Sequence, residues 1–146
     1  MRELRRVLRD TGTCTVMVYN RCSVYFHLYT AYMRMILDGA FSGLSVDEAF
    51  RRNTDGPDCP ISRAYESRDF LDLARSAGFA GEFRGGYFLK HELDWLREHR
   101  DAALVSGELE SEHKSFLSEL KIDERGYPAY RGAYAGIGGV YALRPA

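Results

Sequence analysis

Seven residues near the start of the chain, Thr13 to Tyr19 (TCTVMVY), are β-branched or apolar at nearly every position. A strand with one wet face alternates between apolar and polar residues. A strand written like this one is expected to lie inside a sheet with cover on both faces, as in parallel α/β sheets. The residues before it have helical spacing: Leu4, Val7 and Leu8 share one face, and Arg2, Arg5, Arg6 and Arg9 stay wet. Asp10-Thr11-Gly12 makes the turn between them. The chain thus opens on a helix that feeds a buried strand, which is the second half of an α/β repeat.

The remainder continues that alternation. After the polar break Asn20–Ser23, Val24 to Leu37 reads as a helix, with Tyr25, Leu28, Tyr29, Tyr32 and Ile36 at helical spacing and Gly39 as a stop. Ser45-Val46-Asp47-Glu48 is a capping box for a short helix over Val46–Arg52. Asn53 to Ser62 (NTDGPDCPIS) is loop chemistry, because Pro57 and Pro60 are excluded from a helix interior. Ser67 is a fit N-cap for a helix with Phe70, Leu73, Ala74 and Ala77 on one face, ended by Gly78. Ala80 to Leu89 reads as a strand weakened by Gly85-Gly86. Two charged helices fill Glu92–Lys121, parted at Ser106-Gly107. Asp123–Ala135 is expected to be irregular, and Ile137–Leu143 a final strand. There is no internal repeat and no low-complexity segment.

Composition removes several function classes. With 20 Lys+Arg against 21 Asp+Glu, the formal charge is −1. That leaves no basic field for nucleic acid or anionic lipid, and the wet arginines of the first helix read as a solvated face. No apolar run approaches the ~20 residues of a membrane span, and Met1 is followed by charge rather than by a signal-peptide apolar region. Three cysteines without C-x-x-C spacing fit neither a disulfide framework nor a zinc knuckle. The expected compartment is the reducing cytoplasm. The length of 146 residues suits one domain or a large piece of one.

Several blocks together resemble class I S-adenosylmethionine-dependent methyltransferases. The run Glu3-Leu4-Arg5-Arg6-Val7-Leu8-Arg9, a turn, and Gly12-Thr13-Cys14-Thr15-Val16-Met17-Val18 is similar to that family's helix before the fifth strand, its turn and the strand itself. Only the last glycine of the family's proline-glycine-glycine turn is matched here. The block from Arg68 to Phe79, ending in Ala77-Gly78-Phe79, is similar to the next helix, and Gly138 to Leu143 to the seventh strand. The stretch Thr54–Pro60, with Arg63 and Tyr65 after it, resembles a subgroup with a helical insert after the fifth strand.

The resemblance covers essentially the whole chain but only the C-terminal portion of the family's domain. It implies an α/β fold comprising residues 1–146: a partial Rossmann-like methyltransferase sheet of the last three strands. The final strand would run antiparallel between the other two, and a helical insert would span about residues 23–53. It implies S-adenosylmethionine as cofactor and a small or lipid-like methyl acceptor. The family holds its cofactor with a Gly-rich turn after the first strand and a carboxylate ending the second. The resemblance places both ahead of Met1, so no cofactor-binding residue is expected here. Gly136-Ile137-Gly138-Gly139 opens a terminal strand and not a helix, which excludes it as that turn. The edge of Thr13–Tyr19 would then need covering by an N-terminal half or by a second copy. The alternative is a non-catalytic interaction module derived from a truncated methyltransferase fold.

The family's substrate side begins past the fifth strand. That position makes Asn20, Tyr25 and Tyr29 candidate acceptor-binding residues and His27 a candidate general base, a role its ordinary pKa suits. The same His27 also reads as an exposed or packed helix residue, and the tyrosine stripe also reads as core. Asp55, Arg63 and Tyr65 are candidates in or after the Pro-constrained loop, where Asp55-Gly56-Pro57 also reads as a simple bend. Cys59 has no adjacent base to make it a nucleophile. His91, His99 and His113 lack metal-ligand spacing, so no metal site is expected.

Overall fold

A computed structural model describes residues 1–59 and 61–146; Pro60, part of the expected loop, lies outside the described residues. Helix α1 (Arg2–Val7) leads into strand β1 (Cys14–Asn20). A π-helix (Tyr25–Leu37) and α2 (Val46–Thr54) follow as the insert. Then come β2 (Ala64–Tyr65), α3 (Ser67–Ser76) and β3 (Phe79–Tyr87). Helices α4 (Lys90–Val105) and α5 (Ser111–Glu119) precede a small sheet of β4 (Lys121–Ile122), β5 (Pro128–Tyr130) and β6 (Ala133–Tyr134). Strand β7 (Gly138–Pro145) ends the chain.

The fold is mixed α/β. The main sheet has the order β2-β1-β7-β3. Strand β7 lies antiparallel to both β1 and β3, so the last strand enters between two parallel ones, as expected. The register pairs Val16 with Tyr141 and Tyr141 with Phe83. A β-bulge between Phe83 and Gly85 re-aims the end of β3, where Gly85 has a φ of 115° that disfavours any side chain.

One face of this sheet is sealed. Phe70 and Ala74 of α3 pack with Phe79, Tyr141 and Leu143, and Leu4, Leu8, Val16 and Val18 join them. Burying a side chain such as Leu143 stabilises the fold by about 1.5–3 kcal/mol. The other face departs from the expectation of a strand covered on both sides. Met17 is 58% exposed, and Thr15 and Glu82 beside it are also exposed. The reason is where the remaining helices go: α2, α4 and α5 pack on the π-helix instead of on that face. The edge of β1 is also partly bare, because β2 pairs only with Tyr19 and Asn20.

The insert differs from a regular α-helix. Tyr25–Leu37 is wound as a π-helix, with Asp38 N–H donating five residues back to the Met33 carbonyl. Seven of its first eight residues, Tyr25 to Tyr32 except Tyr29, are buried, so it is a central post and not an amphipathic cover. The Ser45 cap forms as the sequence predicts, its Oγ accepting from Glu48 N–H at 3.3 Å. The region expected to be irregular, Asp123–Ala135, instead carries β5 and β6, which join β4 just ahead of it in a three-stranded sheet. Asp123 organises its turn: the carboxylate accepts from the N–H groups of Arg125 and Tyr127 and from the Tyr134 hydroxyl.

Candidate functional site

The carboxyl end of β1 is where the elements converge, and open α/β sheets keep their ligands at such ends. Two hollows meet there. One, of about 410 Å³, lies between Arg21, Asp47, Arg63, Glu66 and Asp69. The other, of about 280 Å³, lies between Arg21, Cys22, His27, Glu66, Phe116 and Tyr130. Arg21 and Glu66 belong to both and form the saddle between them.

Arg21 is held from three sides. Its guanidinium donates to Asp47 at 2.6 Å, lies 3.7 Å from Glu112 and sits 4.5 Å above the Phe26 ring. Its backbone N–H donates to the Tyr65 carbonyl, which ties the saddle to β2. On the far side, Arg131 pairs with Glu119 and lies over Tyr130. The cleft therefore offers fixed guanidinium and carboxylate groups beside the Phe116 and Tyr130 rings, 4.8 Å apart. Such a surface suits a small molecule with both apolar and polar parts. Burial pushes the Cys22 thiol up to about 11, so it lines the cleft as a neutral group.

Beneath the cleft lie two buried polar nodes. The first is the pair His27 and His113, whose Nδ1 atoms approach to 2.8 Å. His27 also stacks on Phe116 at 4.1 Å. Burial, followed by the His113 and Arg21 charges, holds His27 well below its ordinary pKa; burial likewise lowers His113. The second node is Glu92, which is fully buried. Its carboxylate accepts backbone N–H groups from Leu89 at 2.8 Å, Tyr25 at 3.2 Å and Ile137 at 3.3 Å. Burial raises its pKa to about 7 against the opposing effect of those three donors.

The candidate residues are placed in different settings. Asn20 is buried under the cleft and fastens the end of β1. Its side-chain amide donates to the Cys22 and Gly136 carbonyls, and its Oδ1 accepts from Cys22 N–H. His27 is at the cleft but 4% exposed, with its Nδ1 committed to His113. Proton uptake there would cost that contact. Tyr25 and Tyr29 belong to an aromatic cluster with Phe50 and Trp95, in which Tyr29 stacks on Trp95 at 3.9 Å. The stripe is therefore core in this fold. Asp55 accepts from the Tyr19 hydroxyl at 2.8 Å; burial first, then Asp55, raises that phenol to about 12. Arg63 lines the larger hollow and lies over the Tyr65 ring at 5.0 Å. The structure thus brings Arg63 and His27 to the cleft, leaves Tyr25 inside the core and packs a half-buried Tyr29 against it.

Arg21, Glu66, Glu92 and His113 are the residues that sequence reading missed. Glu92 sits at the third position of α4 behind Leu89, which has no capping side chain, so no capping-box pattern marked it. The glycine run has a packing explanation: a Cβ on Gly136 would lie 2.2 Å from the Tyr87 carbonyl oxygen, and one on Gly86 2.4 Å from Gly136 N. Those glycines allow two backbone segments to touch. Among the described residues, no glycine-rich turn opens a helix, and no three His, Cys, Asp or Glu side chains gather as a metal site. Nor is any helix among them long and apolar enough to cross a membrane. Comparison with protein-family models, with curated proteins and with solved structures gave no match to this chain.

Proposed function

We propose that this chain is the C-terminal, acceptor-facing part of an S-adenosylmethionine-dependent methyltransferase, with a Rossmann-like sheet and a small or lipid-like acceptor. The observation that carries the reading is the strand arrangement. Strand β7 runs antiparallel between the parallel β1 and β3, and a polar and aromatic cleft opens at the carboxyl end of β1. That is the arrangement the motif order implies. These residues do not fit the cofactor itself: the glycines closest in pattern to its turn are used in backbone packing. The described residues accordingly take the acceptor side, where fixed groups orient a substrate. Arg21, Arg63 and Glu66 are the acceptor-facing groups in this reading, with Phe116 and Tyr130 as its apolar wall. The proposed compartment is the cytoplasm, in keeping with three free cysteines.

Calorimetry with S-adenosylmethionine on this chain tests the division of labour. No tight binding is expected, and a micromolar affinity would mean that a cofactor pocket has been overlooked. Coding sequence in frame ahead of Met1 tests the ancestry. A Gly-rich turn after a strand, with a later strand ending in a carboxylate, supports it; unrelated sequence removes it.

A second reading has its own observation. The edge of β1 from Cys14 to Val18 has no strand partner on the β2 side among the described residues, which suits an interaction module that recruits another strand. Gel filtration separates the two. A dilute monomer with a cooperative melt favours the module, and obligate dimerisation or aggregation favours a piece that needs its other half.

A further inference from the structure

We propose that the His27–His113 contact is an acid-sensitive latch that holds the first half of α5 against the π-helix and so keeps the cleft at the carboxyl end of β1 narrow. The inference stands on geometry and does not depend on which ligand the cleft takes. His27 belongs to the π-helix and His113 to α5, and their Nδ1 atoms are 2.8 Å apart in a buried setting. Two imidazole nitrogens at that distance share one proton, one ring donating and the other accepting. A second proton on the accepting Nδ1 turns it into a donor, and two N–H groups then face each other. A proton placed anywhere else on either ring leaves an imidazolium packed on Phe26 and Phe116. The first breaks the contact; the second keeps the Nδ1–H···Nδ1 bond but buries a charge against apolar rings, which disfavours the packed position of α5.

The surrounding charges do not cancel this effect. Arg21, from the segment after β1, opposes a positive charge on both rings. Asp47 of α2, Glu110 before α5 and Glu112 within it favour a charge on His113, but Asp47 and Glu112 already face the Arg21 guanidinium. Glu92, from α4, is committed to backbone N–H groups. Glu66, Glu119 and Arg131 line the cleft itself, and there Arg131 pairs with Glu119.

The two halves of α5 are held differently. Arg100 of α4 donates to the Leu117 carbonyl from two nitrogens, at 2.8 and 3.1 Å, and to the Leu120 carbonyl. A guanidinium does not titrate near neutrality, so that end stays pinned. The first half carries His113, and Glu112, Ser115 and Phe116 form one wall of the cleft. Acid thus frees one end of a helix whose other end is fixed, which widens the cleft without unfolding the sheet.

Hydrogen exchange on the full chain at about pH 7.5 and about pH 5, corrected for intrinsic rates, tests the latch. The expected result is a fall in protection of about tenfold or more across residues 111–116, with β7 unchanged. No change, or an equal change in both segments, overturns it. His113→Gln keeps a neutral side chain without a titrating group, and its α5 protection should be the same at both pH values. The wild-type response in that variant would overturn the proposal. Should the variant fail to fold, histidine NMR titration of the wild type decides. His27 and His113 must titrate together at the midpoint of the exchange change, and separate midpoints overturn the latch.

Discussion

The two polar nodes under the cleft solve the same burial problem in opposite ways. Glu92 binds backbone: its carboxylate takes the free N–H at the start of the π-helix, the one at the start of α4 and the one ahead of β7. The histidine pair binds side chain to side chain and joins only two elements. Helix starts leave N–H groups without intrahelical acceptors, so a buried acceptor at such a place satisfies donors that would otherwise be stranded. A shared imidazole proton satisfies only the two rings. Glu92 is therefore a hub on which several elements depend, and the histidines are a clasp that can open locally.

Glu92→Ala is the harshest way to break that contrast. It strands two buried donors and a half-buried one and empties the site, for an expected loss of about 3–5 kcal/mol in urea unfolding. A loss under about 1 kcal/mol would show that the three N–H groups find other partners. Next in size is the pH dependence of wild-type stability. The folded-state pKa of Glu92 is raised from 4.5 to about 7. Its contribution is thus fully present below pH 4.5 and is lost as pH climbs through 7, a change of about 3 kcal/mol. The histidines have the reverse sign. Their folded-state pKa values lie below 6.5, so their contribution is present above 6.5 and is lost as pH falls. Glu92→Gln should therefore remove the decline toward neutral pH and leave stability rising with pH from the histidine pair. An unchanged profile would assign the titration to other groups.

His27→Ala should cost about 2–3 kcal/mol at neutral pH, because it strips a ring from Phe116 and strands a nitrogen of His113. The smallest effect belongs to Tyr25→Phe. It removes only the hydrogen bonds between the phenol and Asn53, for an expected 0.5–1.5 kcal/mol, approximately one ordinary hydrogen bond. Thermal unfolding ranks both variants. If Tyr25→Phe cost as much as His27→Ala, the aromatic cluster would be doing more than packing.

Much of the framework is legible in the sequence. The helix–turn–strand opening, the Ser45 cap, the stop at Gly78, the break near Ser106-Gly107 and the final strand all occur where local patterns place them. Each depends on residues within about one helical turn or on a two-residue alternation, distances over which side chains act directly on their own backbone. Even the aromatic residues of the insert sit on a helix as read, although its π winding and near-complete burial do not follow from a stripe at α-helical spacing.

The site was far less legible. Asn20 looked like a polar residue at a strand end, yet its role is fixed by Gly136, 116 residues away. Glu92 looked like one of many acidic residues on a charged helix until Tyr25 and Ile137 were brought to it. His113 looked like an unsupported metal ligand until His27 met it across 86 residues. The two-residue β2 and the β4-β5-β6 sheet are too short to carry an alternation of their own.

The sequence alone determined where most of the helices start and stop and that the apolar run before Asn20 is a strand, because those are properties of short segments. Tertiary structure alone decided which face of that strand is left open, which glycines exist so that backbones can touch, and which buried polar groups find partners. Hydrogen-bond partners for a buried group come from whatever segment the packing delivers. That delivery depends on the path of the whole chain and leaves no mark in the local pattern.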